Sequence, residues 1–142
     1  MTDTAPEIRT VVVEREMPYP PEKIWRALTQ PHLISEWLMK TDFALGPGEK
    51  FRLQGDWGGV DCEFLAIEPH SRLSYRWDHS HEEAAFDLRS VVTFTLSETD
   101  RGTLIRMEQQ GFRSDQKQAL GGAKYGWEQH LENLEKAVAK LD

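Results

Sequence analysis

Cysteine is almost missing from this chain, with Cys62 standing alone in 142 residues. A single thiol makes no internal disulfide and no thiolate cluster for zinc, so neither a covalent framework nor a cysteine-built metal centre holds this fold. Basic runs are missing too. With 17 Lys and Arg against 24 Asp and Glu, the formal net charge is −7, whereas recognition of nucleic-acid phosphates requires a basic stripe. No apolar run approaches the roughly 20 residues of a membrane helix. Residues 1–10 lack both the basic start and the apolar core of a signal peptide. The expectation is a cytoplasmic protein without a nucleic-acid partner or membrane insertion. Also absent are a Gly-x-Ser-x-Gly nucleophile turn and a phosphate-cradling glycine loop. No catalytic residue is assigned, and no cofactor is expected.

What is present suits a globular chain: 39% hydrophobic and 29% charged residues. A chain of this length buries roughly two-thirds of its unfolded surface as one domain. Residues 1–7 read as a flexible polar N-terminus and 8–142 as a single domain.

Val11, Val12 and Val13 favour a strand over 8–16. Pro21 and Pro31 each suit the first position of a short helix, the first carrying Ile24, Trp25 and Leu28, the second Leu33, Ile34, Trp37 and Leu38. From Thr41 the period becomes two. Strands are predicted over 41–45, 49–54, 60–67, 72–78, 88–96 and 103–110, with Gly46, Pro47 and Gly48 turning a hairpin between the first two. Ser114 or Asp115 is the expected cap of a final helix. Gly121 and Gly122 should mark its loose first turn or a kink. Trp127, Leu131, Leu134, Val138 and Leu141 then form an apolar stripe opposite charged Glu128, Glu132, Glu135, Lys136 and Lys140. Short connections between strands imply an antiparallel sheet. One long amphipathic helix after a run of strands suggests a sheet curled around it, with a pocket between the two.

Several segments resemble the START-like (SRPBCC) superfamily, and within it the branch named after the activator of heat shock protein 90 ATPase. The resemblance rests on the segments at 21–31, with Trp37 and Leu38 after it, and at 48–52, 68–77, 92–96 and 102–106. Gly111 with Phe112 and the segment 126–134 complete it. It implies an α+β helix-grip fold, in which a seven-stranded antiparallel sheet curves around the C-terminal helix, with two short helices after the first strand. It also implies binding of a small hydrophobic or amphipathic ligand between helix and sheet. The alternatives it implies are a chaperone-associated interaction protein and a polyketide cyclase- or hydrolase-like enzyme.

The aromatic set Trp25, Trp37, Trp57, Tyr75, Trp77, Phe94 and Trp127 offers apolar area for a ligand, although any of them serves equally well as core filling. The expected pocket lining is Trp37, Leu65, Tyr75, Trp77, Phe94, Met107, Trp127 and Leu131. Strand alternation selects Tyr75, Trp77, Phe94 and Met107, while Cys62, Phe64 and Ala66 compete with Leu65 for the inward face. His79 and His81, followed by Glu82 and Glu83, have side chains that bind metals, but their polar setting reads as a solvated loop. Asp61 and Glu63 share the parity of Leu65 and are candidates for an inward carboxylate, with a water-facing strand end as the plainer reading. Cys62 reads as a packed, inert thiol.

Overall fold

The computed structural model describes residues 8–56, 58–83 and 86–141. Trp57, one of the aromatic candidates, and residues 1–7 lie outside them. The chain runs as strand β1 (Ile8–Met17), helices α1 (Pro21–Thr29) and α2 (Pro31–Trp37), and strands β2 (Lys50–Gly55), β3 (Gly58–Glu68), β4 (Arg72–His79), β5 (Leu88–Thr99) and β6 (Gly102–Arg113). Helix α3 (Lys117–Ala139) closes it. The six strands form one antiparallel sheet in the order β1-β6-β5-β4-β3-β2.

The described residues thus hold six strands rather than seven. Where a strand is expected at 41–45, a single bridge lies just before it, Lys40 with Gln54, and the Thr41 hydroxyl donates to the Arg52 carbonyl at 2.8 Å. Its one ring, Phe43, packs inward against Phe51 and Phe64 at centroid separations of 4.9 and 5.1 Å. Anchoring by one aromatic replaces a ladder of backbone bonds.

Each short helix begins with the proline that the sequence marks, and the pair is braced where Trp37 Nε1 donates to the Ala27 carbonyl at 2.9 Å. The bracket packs against α3, which also meets β1 and β6. On α3, Trp127, Leu131, Leu134 and Val138 are buried, and Leu141, just past its end, is partly so, as the apolar stripe requires. The start of this helix differs from expectation: its N-cap is Gln116, not Ser114 or Asp115. The Gln116 carboxamide oxygen accepts from the Arg113 N–H and its amide donates to the Asp87 carbonyl, both at 2.9 Å. Gln116 thereby ties the helix entrance to the start of β5. Gly121 and Gly122 lie within the continuous helix.

Strand parity, broken by two bulges, sets which side chains reach the inner face. In β3 the pairing jumps from Phe64 with Tyr75 to Ala66 with Ser74, which leaves Leu65 as the extra residue. Inward positions are Val60, Cys62 and Phe64, and Leu65 is 47% exposed. Leu65 is therefore corrected to the outer surface, and Asp61 goes with it, its carboxylate 2.6 Å from Arg52 Nη1 on that surface. In β6 the jump is across Gly111: Thr10 pairs with Gln110 and Arg9 with Phe112. Gly111 has φ 137°, and a Cβ there would collide with the Arg89 carbonyl oxygen. The bulge shifts the inward parity by one, so Gln109 and Phe112 both face the core.

Candidate ligand cavity

A cavity of about 300 Å³ opens between the N-terminal half of α3 and one end of the sheet. Its sheet wall comes from the start of β3 (Val60), the end of β4 (Trp77, His79), the start of β5 (Leu88) and the end of β6 (Gln109, Phe112). Phe86 stands before β5, and α3 supplies Gln116, Ala119, Gly122, Ala123, Gly126, Trp127 and His130. The space exists because of what α3 lacks. Ala119, Gly122, Ala123 and Gly126 fall at helical spacing on one face, and a Cβ added at Gly122 or Gly126 would meet no atom within 4 Å. A glycine inside a helix costs about 1 kcal/mol relative to alanine, so this face gives up stability and leaves room.

The wall is aromatic at its inner end. The Trp77 and Trp127 ring centroids are 5.2 Å apart, and Trp127 meets Phe94 edge-on at 5.7 Å. A buried hydrogen-bond chain fixes Trp127: its Nε1 donates to Gln109 Oε1 at 2.8 Å, and Gln109 Nε2 donates to Ser90 Oγ at 3.0 Å. Ser90 Oγ in turn donates to the Trp77 carbonyl at 2.6 Å. Removing Gln109 would orphan the buried Trp127 N–H, at a cost of about 1–3 kcal/mol, and take from Ser90 Oγ the donor it accepts from. The chain thus holds one tryptophan of the cavity by way of the strand that carries the other.

Among the described residues, no Asp, Glu, Lys or Arg belongs to the wall. Its titratable groups are His79, whose Nδ1 lies 3.2 Å from the Gly59 carbonyl, and His130. Burial lowers the His130 pKa from the ordinary 6.5, partly offset by a contact with the Trp37 backbone that favours the protonated ring. Among the described residues, no group of three His, Cys, Asp or Glu side chains is close enough to hold a metal ion. Cys62 is buried, and desolvation by burial, followed by the charges of Asp61 and Asp78, raises its thiol pKa far above the usual range. That thiol stays protonated.

Of the eight residues expected to line a pocket, the structure puts Trp77 and Trp127 on the cavity wall. Trp37, Tyr75, Phe94, Met107 and Leu131 lie in the packed core behind it, and Leu65 lies outside. Tyr75 belongs to an aromatic cluster with Phe51, Phe64 and Phe94, at centroid separations of 5.3, 5.9 and 6.1 Å, which fills the sheet beyond the cavity. Sequence reasoning missed His130, Gln109, Phe112, Gly122 and Gly126. The small residues at 119, 122, 123 and 126 were a readable signal, since four on one helical face leave space beside it. Phe112 was hidden by the bulge, whereas Gln109 follows the inward parity of Ile105 and Met107.

The family model described as activator of Hsp90 ATPase homolog 1-like protein matches residues 18–139. No curated protein matches the chain. Among solved structures, protein MLL2253 from Mesorhizobium loti is 60% identical with a TM-score of 0.90, over 94% of this chain and 99% of that one. CalU16 from Micromonospora echinospora is 28% identical with a TM-score of 0.77, over 99% of this chain and 82% of that one. The Aha1 dimer from Colwellia psychrerythraea shares the fold at 17% identity, with a TM-score of 0.78 over 92% of this chain and 96% of that one. With a curved antiparallel sheet gripping a C-terminal helix and a family match across most of its length, the chain belongs to the activator of Hsp90 ATPase homolog 1-like family of the START-like superfamily.

Proposed function

We propose that the protein binds one small, neutral, largely apolar molecule between α3 and the end of the sheet. The observation that carries this reading is the cavity itself: about 300 Å³, walled by Trp77, Phe86, Leu88, Phe112 and Trp127, with no formal charge among the described residues of the wall. Ligand sites typically span about 300–1,000 Å³ and combine apolar walls with a few placed polar groups. This one is at the small end, which favours a compact ring system over a long-chain lipid. An anionic ligand would lose its hydration and find no cation on the wall. The family description also suggests a chaperone partner. Such a partner would use the outer surface, and its binding would leave the glycine-lined space unexplained.

The test is native mass spectrometry of the protein purified from its own host, beside the variant Gly126→Leu. Leucine is the better helix former, and its side chain enters the space next to Trp127. The expected result is a stoichiometric neutral adduct on the wild type that is absent from a folded variant. An adduct of equal occupancy on both proteins, or no adduct on wild type even after incubation with a library of neutral aromatic compounds, contradicts the reading.

A further inference from the structure

We propose that Gln109 is a positioning residue of this cavity: it holds the Trp127 indole and takes up its N–H, so that this ring meets a ligand with carbon alone and suits a hydrocarbon edge rather than a carbonyl. The inference rests on the binding reading above and adds what the ligand presents to the inner end of the cavity.

It follows from tracing the polar atoms at the inner end of the wall. Gln109 is 2% exposed and shares the inward parity of Ile105 and Met107 on β6, where an apolar side chain would ordinarily stand. A buried carboxamide costs free energy unless its two ends are hydrogen-bonded. Both are engaged: Oε1 accepts from Trp127 Nε1 at 2.8 Å, and Nε2 donates to Ser90 Oγ at 3.0 Å. Ser90 Oγ gives its own hydrogen to the Trp77 carbonyl at 2.6 Å. The direction of this chain is fixed, because an indole N–H only donates and a carbonyl only accepts. Turning the amide over would set its NH2 against the Trp127 N–H, donor to donor. Gln116, also on the wall, bonds to backbone groups of Arg113 and Asp87 and ties the helix entrance. Gln109 instead bonds a ring of the wall, reaching from β6 to α3. That ring is held with its centroid 5.2 Å from that of Trp77 and 5.7 Å from that of Phe94. A ligand carbonyl placed against Trp127 would leave its hydration and find no donor on that ring, whereas a hydrocarbon edge gives up nothing there.

The test uses two probes of matched shape, indane and 1-indanone, on wild type and on Gln109→Met, which fills a similar volume without the carboxamide. Dissociation constants are measured from the indole N–H resonances of the tryptophans. A net hydrogen bond corresponds to roughly a three- to tenfold preference. Freeing the Trp127 N–H gives the ketone a partner, so the affinity of 1-indanone relative to indane is predicted to rise in Gln109→Met by about that factor. Groups common to both proteins cancel from this ratio. A glutamine that served stability alone would weaken both probes alike, and an unchanged or lowered ratio overturns the proposal while leaving the cavity reading standing. Should Gln109→Met fail to fold, Trp127→Phe tests the pair from the other side. It frees Gln109 Oε1 to accept, and 1-indanol is expected to gain over indane by a similar factor; no gain overturns the proposal. Failure of both indane and 1-indanone to bind wild type overturns the cavity reading and this proposal together.

Discussion

His130 is the residue at which structure and electrostatics meet. Burial among Trp127 and the small residues of α3 lowers its pKa from 6.5, with the Trp37 backbone offsetting part of the effect. In the unfolded chain the same ring titrates at its ordinary value of about 6.5. Above that value both states are neutral, and His130 adds no pH dependence. As pH falls below it, the unfolded chain takes up the proton while the folded ring resists, so stability falls until the lowered folded pKa is reached and then levels. Comparing urea midpoints of wild type and His130→Phe at pH 7.5 and pH 5 isolates this contribution. The wild type is expected to lose more stability over the interval, and an equal loss in both proteins would remove the electrostatic argument. Sequence alone did not point to His130. A histidine in the sequence Glu128-Gln129-His130 next to a polar face looks solvated, and only the geometry of α2 beside α3 turns it inward.

At the scale of elements, α3 shows what a sequence makes legible and what it conceals. Trp127, Leu131, Leu134 and Val138 announce the buried stripe through spacing alone, and all four are buried. The helix entrance was misread because Ser114 and Asp115 are better intrinsic caps than Gln116. The carboxamide of Gln116 wins by bonding across to β5, a tertiary effect invisible to local rules. On β3 the inward parity is that of Val60, Cys62 and Phe64 rather than that of Asp61 and Leu65, and on β6 one extra residue at Gly111 inverts the alternation beyond it, so that Phe112 faces the core. The missing strand at 41–45 has an inward-facing Phe43 but almost no backbone pairing. On α3 the glycines yield a direct prediction. Gly122→Ala should stabilise the protein by about 1 kcal/mol, the intrinsic helix difference, because the new methyl meets no neighbour within 4 Å. A raised thermal midpoint confirms that the position gives up stability for space; a lowered one would show that the backbone there needs glycine.

For the molecule as a whole, element order and sheet direction were readable because short turns force antiparallel neighbours and because nearly the whole chain resembles a known superfamily. The site was legible only in part. Trp77 and Trp127 were found as aromatics on inward faces, while Trp37, Tyr75, Phe94, Met107 and Leu131 satisfy the same criteria and fill the core. Inwardness is a property of a strand or helix face; adjacency to a void depends on how several faces fail to meet. Here α3 runs past the ends of β4 and β6 with glycines where leucines would close the gap. The central claim is that this gap receives a ligand. Its most direct test is a crystal structure of the protein grown with 1-naphthol. The account predicts one molecule between Trp77, Trp127 and Gly126. A cavity left empty of the probe, or one closed by collapse of α3 onto the sheet, would contradict it.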